Sequence, residues 1–320
     1  MKKIGVLTSG GDAPGMNAAI RAVTRAGLGM DMEVVGIMRG YLGLMNSEFV
    51  KMDSKSVSNI IQRGGTILLS ARCTEFMTEE GQKIAVENLK REGIEGLVTI
   101  GGDGTFHGAK VLSEKYGIPT IGIPGTIDND LAYTDFTLGF DTACNTALSL
   151  INNLRDTMRS HERVSVVEVM GRRCGDIALY SGIASGAEVI MIPEDPMTID
   201  EVCDRLFKAK ERGKSSSIIV LAEGAGKASD VAKEVSERTG MSVRDTVLGH
   251  LLRGGSPTLN DRLLATQCGY RAATLLKSGV GNRVIGTHNE QIVDLDIIEA
   301  LSMERRFHKD LYEASKILSF

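Results

Sequence analysis

No run of apolar residues in this 320-residue sequence approaches the roughly 18–20 that a membrane helix needs. Two lysines and a short apolar stretch open the chain and glycines follow at once. That is the pattern of a first β-strand rather than a signal peptide, so a cytoplasmic protein with no membrane partner is expected. The five cysteines (Cys73, Cys144, Cys174, Cys203, Cys268) are odd in number, widely spaced and without a C-x-x-C pair. This argues against a disulfide framework or a zinc site and suits reduced thiols. Neither sign of charge dominates: a formal net charge of −4 excludes general attraction to nucleic acid, so anions must be bound by local clusters. Tryptophan is absent, prolines number 6 and aromatic residues make up 4%, against 37 glycines. With 42% hydrophobic and 24% charged residues the composition is globular, neither disordered nor collagen-like. The glycines point to places where backbone turns tightly or approaches a ligand.

Short β-branched runs alternate with helical periodicity from end to end. Strands are expected at 4–8, 33–38, 97–100, 120–123, 164–169, 189–192, 218–222 and 284–286. Helices are expected at 17–28, 83–91, 106–115, 142–158, 199–210 and 263–276. Leu97-Val98-Thr99-Ile100 is apolar on both faces, as in parallel sheets buried between helix layers. The class is therefore α/β and doubly wound. Length suggests two domains, and the long helical pattern from Thr142 to Glu162 places a boundary near residue 140.

Two strands end alike. Residues 4–8 run into Ser9-Gly10-Gly11-Asp12-Ala13-Pro14-Gly15-Met16-Asn17, and 97–100 into Gly101-Gly102-Asp103-Gly104-Thr105, each before a helix. A glycine turn from strand to helix gathers free backbone N–H groups at the positive helix end, which suits phosphate. Neither loop has the spacing of a P-loop or a dinucleotide fingerprint. A carboxylate beside phosphate needs a cation between them, so Asp103 is a candidate Mg²⁺ contact, with capping of the following helix as the alternative. Pro124-Gly125-Thr126-Ile127-Asp128-Asn129-Asp130 sets two carboxylates two residues apart after a turn, able to serve as a base and a metal-side partner, or simply to form a polar loop. Arg163 precedes the strand at 164–169, Arg172 and Arg173 follow it, Arg244 stands alone, and His250 and Arg253 come later. Guanidinium forks suit phosphate, with solvated surface as the alternative, and Glu223 after 218–222 can accept from sugar hydroxyls.

Taken together, these segments resemble the bacterial ATP-dependent 6-phosphofructokinase family. Added to the loops above are Gly64-Gly65-Thr66, Glu168-Val169-Met170-Gly171-Arg172 and Gly249-His250-Leu251-Leu252-Arg253-Gly254-Gly255, in family order and spacing over essentially the whole chain. The resemblance implies two doubly wound three-layer αβα domains. A larger ATP-binding domain would span 1–139 plus about 252–301, and a smaller sugar-phosphate-binding domain 140–251 plus about 302–320. It implies transfer of the ATP γ-phosphoryl group to the 1-hydroxyl of fructose 6-phosphate. By motif position Asp128 is similar to the general base and Thr126 to a contact with the transferring group, while Arg172, Arg72 and the Gly11 backbone resemble the stabilisers of transition-state charge. Asp103 and Asp130 resemble the Mg²⁺ side. ATP would lie over Gly11, Arg72, Cys73, Gly102, Asp103, Gly104 and Thr105. Sugar phosphate would meet Thr126, Asp128, Arg163, Met170, Gly171, Arg172, Glu223, Arg244, His250 and Arg253. In the family Arg163 and Arg244 reach in from a neighbouring subunit, which implies a homotetramer.

Pyrophosphate-dependent relatives carry Asp where this chain has Gly104 and Lys where it has Gly125, so the resemblance implies ATP as donor. Arg21, Arg25, Arg155, Glu188, Arg212 and Lys214 match the family's effector site for ADP or phosphoenolpyruvate. Ser215, Ser216, Ser54, Ser58 and Asn59 replace charged residues common there. Fewer cations should lower affinity for a polyanion by about 1 kcal/mol or more per lost contact, so weakened or altered regulation is expected. Phe106 and His107 stand where Tyr and Gln are common. Competing readings are a pyrophosphate-dependent phosphofructokinase, a catalytically silent nucleotide-sensing subunit, and a lipid or nucleoside kinase sharing the G-G-D-G loop. Gly104 and Gly125 oppose the first; retention of Asp103, Asp128 and Arg172 opposes the second; the 170–172 and 250–253 segments oppose the third.

Overall fold

In this computed structural model, which describes residues 1–305 and 307–319, the doubly apolar strands are buried on both faces. The chain separates into two units. Met1–Ile127, Leu131–Asp141 and Arg253–Arg305 form the first; Asp128–Asp130, Thr142–Leu252 and the described residues after 306 form the second.

The first unit holds strands β1 (Lys3–Thr8), β2 (Glu33–Ile37), β3 (Phe49–Met52), β4 (Gly96–Gly101), β5 (Thr120–Pro124), β10 (Arg283–His288) and β11 (Gln291–Asp296). Their order is β11-β10-β5-β4-β1-β2-β3, with the five inner strands parallel and both edge strands antiparallel. Helices α1 (Met16–Gly29), α2 (Gly40–Met45), α3 (Glu79–Glu92), α4 (Asp103–Tyr116), α9 (Leu259–Lys277) and α10 (Ile297–Ser302) belong with this sheet. From β1 the chain winds outward to β2 and β3, and from β4 it winds the other way to β5 and β10. The order therefore reverses between β1 and β4, and open α/β sheets bind ligands outside the carboxyl ends of strands at that point.

The second unit holds β6 (Val164–Val169), β7 (Val189–Met191), β8 (Ser217–Ala222) and β9 (Val243–Val247), all parallel, in the order β7-β8-β6-β9. The long helix α5 (Phe140–Ser160) carries the chain into it, and α6 (Asp176–Ser185), α7 (Ile199–Glu211), α8 (Ala228–Thr239) and α11 (Lys309–Leu318) complete it. Its core is aliphatic: Val164, Val166, Ile219 and Leu221 of the sheet pack with Val202, Leu206, Val231 and Val235 of the helices.

Every strand expected from the sequence is present within a residue or two of its limits. β3, β9 and β11 were not expected, and all three are edge strands. β9 reads Val-Arg-Asp-Thr-Val with one buried residue, so it lacks the apolar density that marks the central strands. Among the helices, α6 is apolar nearly all round, with six of its residues buried, which erases the amphipathic period that reveals a surface helix.

Candidate active site

In the first unit the turns after β1 and β4 interlock at the reversal of strand order. Ser9 N donates to Ile100 O at 3.0 Å, and Thr105 Oγ1 donates to Ser9 O at 3.1 Å. Gly101 has to be glycine, because a Cβ there would lie 2.5 Å from Ser9 O and collide with the Thr105 hydroxyl. A third segment docks on this edge: Thr8 Oγ1 lies 2.9 Å from Thr66 Oγ1 and donates to Leu69 O at 2.8 Å. Asn17, 1% exposed, ties that segment down, donating to Arg63 O and Gly64 O and accepting from Ile67 N at 2.7 Å. Thus the Gly64-Gly65-Thr66 motif reaches the phosphate-type turn through Asn17, the last residue of the first motif.

Helix α4 begins at Asp103, and its N-cap, Gly102, supplies no side-chain cap. Asp103 is therefore not the cap considered as its alternative role. Its carboxylate is exposed, 3.4 Å from His107 Nε2 one turn on. Gly102 lies beside Thr126, a Cβ on it being 3.7 Å from Thr126 Cβ, whereas a Cβ on Gly104 would meet nothing within 4 Å. Gly125 is enclosed: a Cβ would stand 3.1 Å from both Ile100 Cγ2 and Met16 Cε. Arg253 bends over the first turn, donating to Asp12 O at 3.1 Å and filling the space that a Cβ on Gly11 would take. Arg72 is exposed. Cys73 is half-buried, its Sγ 3.5 Å from Met45 Sδ and 3.7 Å from Glu75 Oε2, and partial burial pushes its thiol up. Phe106 is fully buried against Tyr133, Val284 and Ile297, so its ring serves the core, where a tyrosine would bury a hydroxyl. His107 is exposed on the outer face of α4. On α1, burial and the like charge of Arg25 lower the Arg21 guanidinium.

In the second unit Asp128 is 1% exposed and forms an ion pair with Arg172, whose Nε lies 3.4 Å from Asp128 Oδ2. Asp130 is half-buried in the same turn. Arg172 has a left-handed backbone at φ 53, which a long side chain adopts only when its surroundings enforce it. Glu223, after β8, does so: its Oε1 accepts from Gly171 N at 3.2 Å and Arg172 N at 2.8 Å. The half-buried Met170 precedes this turn and His250 is exposed after β9. Arg163 and Arg244 are not part of this group. Arg163 precedes β6, and Arg244 pairs with Ser165 near the amino end of that strand. Six residues of strand put them about 20 Å from the turn at the other end. Arg155, Glu188 and Lys214 do come together: Glu188 Oε1 is 2.9 Å from Lys214 Nζ and 3.8 Å from Arg155 Nη1, and the carboxylate is 3% exposed. Arg212 precedes Lys214 by two residues at the end of α7.

No sequence pattern singles out Asn129 or Asp176 as a functional pair. Asn129 Nδ2 donates to Asp176 Oδ2 at 3.0 Å, 47 residues away. Asn129 in a turn was a signal for a left-handed position, but nothing local announces its partner.

Uncapped, glycine-rich strand-to-helix turns on a doubly wound α/β sheet suit phosphate, and a buried carboxylate beside a guanidinium suits proton transfer; these are parts that a phosphotransferase uses. Residues 3–276 match the model of the family described as phosphofructokinase, and the chain belongs to that family. It is 60% identical over 319 residues, covering 100% of both chains, to the ATP-dependent 6-phosphofructokinase of Clostridium botulinum (strain Loch Maree / Type A3). A solved phosphofructokinase from Saccharomyces cerevisiae superposes with a TM-score of 0.89 at 33% identity; the match covers 100% of this chain and 47% of the yeast chain, so this chain spans about half of that one. The pyrophosphate-dependent phosphofructokinase from Marinobacter aquaeolei shares the fold, with a TM-score of 0.85 at 23% identity over 96% of this chain and 86% of that one.

Proposed function

We infer that this chain is a glycolytic ATP-dependent 6-phosphofructokinase, moving the γ-phosphoryl group of ATP to the 1-hydroxyl of fructose 6-phosphate to give fructose 1,6-bisphosphate and ADP. The observation that carries the reading is the buried Asp128 carboxylate paired with Arg172 on a turn that Glu223 holds in place, in a chain 60% identical to an enzyme of that name.

Asp128 takes the proton of the 1-hydroxyl as the oxygen–phosphorus bond forms and the bond to the bridging oxygen of ADP breaks. Arg172, Arg72 and the Gly11 N–H meet the charge on the transferring group, and Thr126 contacts it. Thr105, Gly102, Gly104 and Cys73 receive the nucleotide, while Met170, Gly171, Glu223, His250 and Arg253 receive the sugar phosphate. Mg²⁺ belongs to the same reading: Asp103 is an exposed carboxylate at an uncapped helix start, Asp130 is a half-buried carboxylate two residues after Asp128, and Mg²⁺ takes one or two carboxylates with phosphate oxygens and waters. It would offset the polyphosphate charge there.

Arg163 and Arg244, at the end of β6 far from the Arg172 turn, are read as serving sugar phosphate in a second copy of the chain; their placement supports an oligomer with shared sites, and a homotetramer is part of the same reading. The Arg155–Glu188–Lys214 group, with Arg212 nearby in sequence, is proposed to bind the effector ADP or phosphoenolpyruvate, and Arg21 and Arg25 of α1 are candidates for the same role. No helix among the described residues is long and apolar enough to cross a membrane, and a cytoplasmic location is part of the same reading. Phosphorus NMR of the chain with Mg²⁺, ATP and fructose 6-phosphate tests the function. Growth of the fructose 1,6-bisphosphate and ADP resonances is expected; unchanged spectra would overturn it.

A further inference from the structure

The turn that carries Asp128 is not self-supporting. Its middle residue, Asn129, is 6% exposed and has a left-handed backbone at φ 52. Asn tolerates that region better than most residues, yet a left-handed residue holds its conformation only when its neighbours fix it. Here the neighbour is Asp176, the first residue of α6 and 2% exposed, whose Oδ2 accepts from Asn129 Nδ2 at 3.0 Å. On the other side Cys174 Sγ lies 3.9 Å from Asn129 O. The start of α6 is itself anchored, since Gly175 N donates to both Glu194 oxygens, at 2.9 and 3.1 Å.

We propose that Asp176 is a positioning residue for the reaction, fixing the direction of the Asp128 carboxylate through the side chain of Asn129. This rests on the reading of Asp128 as the base. A buried carboxylate is expensive to desolvate, and a helix start eases that only in part. What it supplies in return is a charge-assisted bond to the Asn129 amide, stronger and better directed than a neutral one. The bond spans 47 residues and links the start of α6 to the residue after Asp128, while Cys174 N, just ahead of that helix, donates to Gly171 O at 2.8 Å in the Arg172 turn. In this role Asp176 acts through Asn129 and not by contact with substrate.

The test is steady-state kinetics of Asp176→Ala, Asp176→Asn and Asn129→Gly, the double variant Asp176→Ala with Asn129→Gly, and Asp128→Asn as reference. A reacting group misplaced by about 1 Å loses up to about 100-fold in rate. The expected result is a fall in kcat of about 10- to 100-fold for Asp176→Ala and Asn129→Gly, with KM for both substrates within about threefold of wild type. Asp176→Asn, whose carbonyl can still accept from Asn129, should recover most of the loss. The double variant should be no worse than either single one, because both remove the same bond. Wild-type kcat in Asp176→Ala or Asn129→Gly, or losses that multiply in the double variant, would overturn the proposal. Should Asp176→Ala fail to fold, Asn129→Gly removes the bond from the turn side and decides alone. Activity retained in Asp128→Asn would instead refute the base assignment; loss in Asp128→Asn with wild-type kcat in Asn129→Gly refutes only the positioning role.

Discussion

Gly104→Asp separates stability from donor use, because its two effects have opposite signs. Residue 104 is the second residue of α4, exposed, and an added Cβ meets nothing within 4 Å. The fold therefore accepts Asp, and removing a helical glycine while adding an acid to the first turn should stabilise by about 0.5–1 kcal/mol. For the nucleotide the substitution is unfavourable. A carboxylate about 5 Å from a phosphate charge repels it by about 1 kcal/mol in bulk water and about 3 kcal/mol at the effective dielectric of a protein surface. This corresponds to a loss of about 5- to 150-fold in kcat/KM for ATP. The assay is kcat/KM for ATP at saturating fructose 6-phosphate, with a thermal melt alongside. The electrostatic part of the defect should shrink at 1 M salt, where the screening length is about 3 Å, while a steric part would persist. Unchanged kcat/KM for ATP in a variant that melts at or above the wild-type temperature would refute the donor argument from Gly104.

Three further outcomes are expected. Asn17→Ala should destabilise by about 2–4 kcal/mol in denaturant melts, because three part-buried hydrogen bonds from the buried Asn17 side chain to residues 63–67 are lost together; a change under 1 kcal/mol would show that the segment docks without them. Burial pushes the Cys268 thiol up to about 12, so at pH 8 it should resist alkylation while half-buried Cys73 reacts. Between roughly pH 9 and 12 the unfolded chain loses that proton and the folded chain keeps it, so stability should fall by up to about 1.4 kcal/mol per pH unit through this one group; a flat pH–stability profile across that window would contradict the burial. Lys214→Ala should weaken ADP binding, measured by calorimetry, by about tenfold, since it removes the ammonium held beside Glu188. Wild-type regulation should already be weak, given Ser215 and Ser216, and strong ADP activation or phosphoenolpyruvate inhibition at low effector levels would count against that account.

The parts of the molecule legible in the sequence are those whose physics is local. Strands buried on both faces, such as β4, and glycine turns at strand ends appear as short runs of characteristic residues. So did Asp128, Arg172 and Glu223, which the structure brings into one group. The illegible parts are those set by long-range geometry. β3, β9 and β11 are strands because they close sheet edges, and their residues are half exposed. Glu223 was read as an acceptor from sugar hydroxyls, and its bonds to the backbone of Gly171 and Arg172 add a bracing role that spacing alone does not reveal. The Asn129–Asp176 pair joins residues with no pattern between them. Arg163 is legible at the start of β6, but Arg244 stands alone in the sequence, and only the register of β6 with β9 places it near the same end.

The most direct measurement is a coupled assay for fructose 1,6-bisphosphate on wild type and Asp128→Asn, run once with Mg²⁺ and ATP and once with pyrophosphate. Removing the base and its pairing with Arg172 should lower kcat by about 100- to 10,000-fold. The account predicts turnover with ATP, none with pyrophosphate, and loss of the ATP activity in the variant. Turnover with pyrophosphate, or an Asp128→Asn enzyme as fast as wild type, would contradict it.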